Sequence, residues 1–241
     1  MKHFDLTVIY YTSNHLEKTN LFFVENTKKQ LLKAIGDYPL ISISQEPMDF
    51  GKNVCIGNIG RSHLNIYRQI LRGAKEATTE YVATAEDDIL YSFEHFHHQI
   101  PEKTPFLYDM NKVSLFTWTN PPLFSFRTKR KVINQLIAKR TALISALEER
   151  FARVEELLKT TTEDKIIKYF GDIGRYEELL GVSKEPVEEF YCTNPSIVFS
   201  HEHAFGYLSQ GSKKRLGDLK IVELYGWGRA EDILKLFYKE I

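Results

Sequence analysis

Hydrophobic positions along the chain fall into short runs that switch between two periods. Leu6-Thr7-Val8-Ile9-Tyr10-Tyr11 is a continuous apolar and β-branched run halted by Thr12-Ser13-Asn14, as expected of a buried strand. Phe22, Phe23, Leu31, Leu32 and Ile35 then recur at helical spacing before Gly36, and Leu40-Ile41-Ser42-Ile43 reads as a second strand. A polar loop from Gln45 to Arg61, carrying Gly51, Gly57 and Gly60, opens into a helix with Ser62 as N-cap and an end near Ala77. The next strand, Tyr81-Val82-Ala83-Thr84-Ala85, runs into Glu86-Asp87-Asp88, and Val113 to Trp118 forms another before Pro121-Pro122 stops it. From 128 to 159 the period becomes helical, through Ile133, Ile137, Ile144, Leu147, Phe151, Val154 and Leu158. Lys165 to Leu180 continues it, punctuated by Gly171 and Gly174. Strands return at Ser196 to Ser200 and Leu219 to Leu224, and a last helix begins at Ala230.

Strands alternating with helices predict an α/β fold, a Rossmann-like, mostly parallel sheet flanked by helices whose ligands collect at the carboxyl ends of the strands. The 241 residues suffice for one domain, 1–241, with 128–182 as a helical insertion packed on the sheet or covering its ligand edge. Lysine plus arginine equals aspartate plus glutamate at 32 each, so no global field draws the chain to nucleic acid or membrane. The two cysteines, Cys55 and Cys192, lack CxxC spacing, which argues against a zinc knuckle or a disulfide scaffold and fits a reducing compartment. No apolar stretch approaches the ~20 residues of a membrane span, so a cytoplasmic protein is expected.

Candidate chemistry concentrates in two acidic clusters. A strand that ends in Glu86-Asp87-Asp88 accumulates negative charge, which is costly unless a cation or a donor hydroxyl shares the space; the plain alternative is a solvated turn. Glu231-Asp232 follows Tyr225-Gly226-Trp227-Gly228 and either supplies a base or simply faces the positive end of the last helix. The histidines of His201-Glu202-His203 at a strand end would share one face, as metal ligands beside Asp88 or as structural groups. Arg61 near a helix start suits a diphosphate, or is a surface arginine.

The order of an N-terminal strand, a glycine-bearing loop leading into Arg61-Ser62-His63-Leu64-Asn65, a strand ending Glu86-Asp87-Asp88, and a late Gly226-Trp227-Gly228-Arg229-Ala230-Glu231-Asp232 resembles the GT-A class of nucleotide-sugar glycosyltransferases. That resemblance makes the triplet a variant DXD motif. It implies Asp88 as ligand of Mn²⁺ or Mg²⁺ on the donor diphosphate, Glu86 or Asp87 as holder of ribose or sugar hydroxyls, and Thr12 and Ser13 as nucleoside contacts. The late segment is similar to the Gly-Trp-Gly-Gly-Glu-Asp stretch of inverting galactosyltransferases. It implies Asp232 as general base, Glu231 as a sugar or acceptor ligand and Trp227 as a wall of the sugar pocket. Arg229-Ala230 stands where that stretch has a glycine.

The implied partners are a nucleoside diphosphate sugar, foremost a UDP-sugar, and a hydroxyl acceptor that is a glycan, a lipid-linked sugar or a small molecule. Basic runs at Arg127 to Lys131, Lys139-Arg140 and Ser212 to Arg215 keep hydroxymethylated DNA open as an alternative acceptor, although such runs are usually solvated faces. Two further alternatives are a non-catalytic nucleotide- or carbohydrate-binding protein and a nucleotidyltransferase. The latter's usual N-terminal glycine-rich basic loop is absent here.

Overall fold

A computed structural model describes residues 5–101, 104–126, 130–201 and 220–239. Its centre is a seven-stranded sheet in the order β10-β6-β9-β4-β1-β2-β3. The strands are β1 (Leu6–Tyr11), β2 (Leu40–Ser44), β3 (Lys52–Cys55), β4 (Tyr81–Glu86), β6 (Phe106–Asp109), β9 (Leu136–Lys139) and β10 (Val187–Phe190). A second, five-stranded sheet runs β12-β8-β7-β11-β5, from β5 (Ile89–Leu90), β7 (Lys112–Phe116), β8 (Leu123–Phe126), β11 (Ser196–Ser200) and β12 (Lys220–Ile221). A small hairpin joins β13 (Glu223–Leu224) to β14 (Gly228–Arg229). The helices are α1 (His15–Thr19), α2 (Leu21–Ile35), α3 (His63–Glu76), α4 (Phe93–His97), α5 (Arg140–Leu157), α6 (Glu163–Phe170), α7 (Glu177–Leu180) and α8 (Ala230–Phe237). None is long and apolar enough to cross a membrane.

β1 is buried along its whole length because it lies between β2 and β4, parallel to both, with helices on both faces. Its alternation divides the core: Ile9 and Tyr11 face the cluster under α3 and α5, whereas Leu6, Val8 and Tyr10 face the one under α2 and α4. Ser62 caps α3 as expected, its hydroxyl accepting the Asn65 N–H at 3.2 Å. Gly73 lets α3 lie directly on β1, since a Cβ there would come within 2.4 Å of the Ile9 Cγ2. A third cluster, centred on Phe23, Leu115, Phe199, Ile233 and Phe237, joins α2 and α8 to the second sheet.

The α/β architecture with a helix-flanked sheet is the one expected, with an unforeseen second sheet and, in the central sheet, two antiparallel pairings, both made by β9. The helix expected from residue 128 begins only at Arg140, because Leu136-Ile137-Ala138 fills the slot between β4 and β6 as β9. Ile133 and Ile137 are four apart and match a helical step. The open strand edges on either side offer backbone partners that local period cannot reveal. The 128–182 block is therefore not a purely helical insertion. Two glycines with positive φ, Gly171 at 52° and Gly174 at 85°, divide the expected 165–180 helix into α6 and α7. The expected 45–61 loop contains β3, and the strand expected at 219–224 is split between β12 and β13.

Within the α5–α7 region, Arg150 is buried and gives Nη2 to the Glu177 Oε1 at 2.5 Å and Nη1 to the Phe170 carbonyl at 2.8 Å. The same Glu177 oxygen accepts the Gly174 and Arg175 N–H groups at 2.5 and 3.1 Å. Removing the carboxylate leaves a buried guanidinium without its counter-charge. Glu177→Ala is expected to lower unfolding free energy by about 3–5 kcal/mol in urea titrations; a loss below about 1 kcal/mol would show that water replaces the carboxylate there.

Candidate active site

Strand order changes direction at β1: the chain continues to β2 on one side and returns through β4 on the other. Crevices form at the carboxyl ends beside such a switch. Here the cleft is lined by Tyr11, Thr12 and Ser13 after β1, Gln45 after β2, Gly60-Arg61-Ser62 at the start of α3, Glu86-Asp87-Asp88 after β4, and His201 after β11. Tyr11 pairs with Glu86 in the β1–β4 ladder, so the two strand ends are level.

The acids are held individually. Asp87 Oδ2 accepts the Thr12 hydroxyl at 2.6 Å, and that hydroxyl oxygen accepts the Asn14 N–H at 2.9 Å. Glu86 Oε2 accepts the Asn134 Nδ2 at 2.7 Å. Asp88 lies with its Oδ2 3.5 Å from the His201 Nε2, and its Oδ1 is buried with no hydrogen-bond partner among the described residues. The antiparallel β5–β11 ladder creates that pairing, extended by the Phe199 N–H donating to the Asp88 carbonyl at 3.0 Å. Burial, reinforced by the charge on Asp88, pushes Asp87 up to about 8 and holds Glu86 well above the usual carboxylate range.

A polar lattice fixes the walls. Asn14, in the left-handed region at φ 57°, accepts the Gln45 and Glu46 N–H groups on its Oδ1 at 2.8 and 2.9 Å. The Gln45 side chain accepts the Ile59 and Gly60 N–H groups at 3.1 and 3.2 Å and donates to the Gly60 carbonyl at 2.9 Å. Gln69 donates to the Thr12 and Ile43 carbonyls at 2.7 and 2.9 Å. The loop bearing Arg61 is thereby tied to the ends of β1 and β2.

Thr12, Ser13, Arg61, Glu86, Asp87, Asp88 and His201 thus share one cleft. His203 lies outside the described residues. The late motif does not join them. α8 buries Ala230, Ile233, Leu234 and Phe237, which turns Glu231 and Asp232 to solvent with side chains 54% and 65% exposed. Lys235, one turn on, pairs with both at 3.2 and 3.8 Å. Trp227 is half-buried and gives its indole N–H to the Pro195 carbonyl at 2.8 Å, anchoring the β13–β14 hairpin rather than lining the cleft. Asp232, Glu231 and Trp227 are accordingly not brought to Asp88, because the apolar stripe of α8 sets the helix's rotation. Sequence reading missed the roles of Asn14, Gln45 and Gln69. For Gln45 the signal was available, a polar residue at the carboxyl end of a buried strand.

A second cavity of ≈ 490 Å³ adjoins the first, lined by Ile66, Tyr67, Glu86, Arg130, Ile133, Asp172 and Arg175 among others. Glu86 and Ile66 line both. The Asp172 carboxylate is engaged by Tyr67, the Ile133 N–H and Arg175. Of the basic runs, Lys131 is paired with Glu189 and Lys139 with Glu80, while 127–129 and 212–215 lie outside the described residues.

No family model and no curated protein matches the chain. Among solved structures it is similar to the bifunctional IspDF from Campylobacter jejuni, at 12% identity and TM-score 0.43, over 79% of this chain and 50% of that one. The chain therefore spans half the length of that enzyme. It is also similar to the 2-C-methyl-D-erythritol 4-phosphate cytidylyltransferase from Thermus thermophilus, at 12% identity and TM-score 0.46 over 81% and 92% of the two chains. A third is a glycosyltransferase involved in glycosylation of the major capsid of PBCV-1, at 12% identity and TM-score 0.45 over 85% and 96%.

The raised Asp87 carboxyl has a sign that can be checked. Between the ordinary aspartate value near 3.8 and about 8 the folded protein holds a proton that the unfolded chain has lost, so rising pH destabilises the fold. Without divalent cation, the melting temperature of the wild-type protein should fall from pH 5 to 8. Asp87→Asn, which keeps an acceptor for Thr12, should flatten that decline; an equally steep decline in the variant would place the proton elsewhere.

Proposed function

We propose that the protein is a metal-dependent glycosyltransferase using a nucleoside diphosphate sugar. The supporting observation is Asp88 beside His201 in a cleft at the switch point, with one buried Asp88 oxygen that no described residue satisfies. A buried carboxylate oxygen left without a donor is costly, and a cation there removes the cost. One oxygen and one imidazole nitrogen fit Mn²⁺ better than the all-oxygen preference of Mg²⁺. When bound, the cation would neutralise charge developing on the departing diphosphate.

The chain's own groups do the rest. Arg61 and the N-terminus of α3 meet a diphosphate, and Thr12 and Ser13 meet the nucleoside at the end of β1. Asp87 keeps Thr12 in place and holds a donor hydroxyl. Among the described cleft carboxylates Glu86 alone also borders the neighbouring cavity, so an acceptor entering there meets it first. It replaces the exposed Asp232 as the proposed proton acceptor, and in its ionised form the raised proton affinity that burial gives it favours taking the proton of the entering hydroxyl. The acceptor itself is a hydroxyl compound small enough, or with an end narrow enough, to enter that cavity.

The test is donor turnover. With Mn²⁺ and a panel of nucleotide sugars, the protein should slowly release a nucleoside diphosphate; release of pyrophosphate, or none from any donor, overturns the reading. Asp88→Ala should weaken Mn²⁺-dependent donor binding by more than the roughly 10–100-fold expected from loss of an outer-sphere partner. Glu86→Gln should leave donor affinity within a few-fold and suppress transfer to an acceptor; unchanged transfer would remove Glu86 from the role.

A further inference from the structure

Away from the cleft, three groups with no part in the chemistry above converge in the core. His95 on α4, Asp109 at the end of β6 and Cys192 just after β10 are all buried. One ring nitrogen, one carboxylate oxygen and the Cys192 Sγ all lie within 4.8 Å of one another. The fold assembles them by register. Phe190 of β10 pairs with Asp109 of β6, and the Met110 N–H donates to the Phe190 carbonyl at 2.8 Å, which carries Cys192 back over the carboxylate. α4 then lays His95 across both, with Nδ1 3.1 Å from the Asp109 Oδ2.

An apolar wall encloses the group: Phe96, Tyr91 and Phe190 pack around the imidazole with ring centroids 4.7, 5.1 and 6.1 Å away. His95 Nε2 is buried and has no hydrogen-bond partner among the described residues. Asn111 braces the other two members, its N–H donating to Asp109 Oδ1 at 2.9 Å and its Nδ2 to the Cys192 carbonyl at 2.7 Å. Such bracing is what metal ligands require of their outer partners.

We propose that His95, Asp109 and Cys192 supply three ligands of a site for a borderline-soft divalent cation, Zn²⁺ foremost, with a water completing the tetrahedron. Nitrogen, oxygen and sulfur at Zn²⁺ bond lengths stand about 3.3–3.6 Å apart around a tetrahedral ion. The His95–Asp109 spacing is already close to that, and the sulfur needs to close by little more than about 1 Å. Hard cations are disfavoured, since they want six or more oxygens and this cage supplies one side chain of that kind. Burial, with the Asp109 carboxylate adding to it, raises the Cys192 thiol well above its ordinary value, so the metal-free group is S–H. Binding breaks that S–H bond, forms S–Zn and delivers the proton to solvent. The ion would clasp α4, β6 and the strand connection after β10, where the two sheets meet.

Cobalt substitution tests this on the whole folded chain, because thiolate ligation gives Co²⁺ a near-ultraviolet sulfur-to-metal charge-transfer band that the Asp88–His201 cleft cannot produce. Only two cysteines exist, and Cys55 is exposed on β3. The band should therefore survive in Cys55→Ser, where only Cys192 remains, and zinc should displace it at one equivalent. Wild-type protein dialysed against metal-free buffer should retain equimolar zinc, and Cys192→Ser should lose it. Absence of the band from folded Cys55→Ser overturns the site, even if Cys192→Ser fails to fold. Zinc retention equal in wild type and folded Cys192→Ser also overturns it.

Discussion

Three consecutive carboxylates at the end of a strand buried from Tyr81 to Ala85 are the constraint around which the site is arranged. Parallel pairing of β1 with β4 sets Tyr11 level with Glu86 and places Thr12 where it can donate to Asp87. Each acid then meets a different partner: Asn134 from the segment before β9, Thr12 from β1, and His201 from β11. The partners that hold the three acids come from three elements distant in sequence, so this arrangement exists only when all three are in place. Burial and the charge on Asp88 raise the proton affinity of Glu86 and Asp87.

The walls are easier to hold than the acids because they consist of neutral amides. Asn14, Gln45 and Gln69 satisfy backbone groups that strand ends and loops would otherwise leave open, and each spans two segments. A network of this kind ties the rim of the cleft together. Its members touch the rim through backbone atoms, so they fix where Arg61 is presented without competing for a ligand's charge.

Much of this was legible in the sequence. The strand ends at Thr12 and Asp88 followed from apolar runs abruptly ended by polar residues, and the Ser62 cap from a hydroxyl preceding a periodic segment. What escaped has a common cause. β9 is a strand because two open edges flank it, and α8 faces Asp232 outward because Ile233 and Phe237 need the pocket made by Phe23 and Phe199. Neither circumstance is written in the local pattern. A motif's spelling does not fix which way its helix turns, and at Glu231-Asp232 the apolar stripe determines the facing.

The two-residue β5–β11 ladder carries a consequence for how the chain can vary in length. Asp88 lies one residue before β5 and His201 one residue after β11, so their adjacency is set within a few positions of backbone. Insertions among the segments looping out between residues 90 and 196 leave that adjacency untouched. One added or deleted residue between Glu86 and Ile89 would reverse which face the acid presents. The loops between those elements can therefore lengthen without parting Asp88 from His201, whereas the four residues from Glu86 to Ile89 are held to a fixed count.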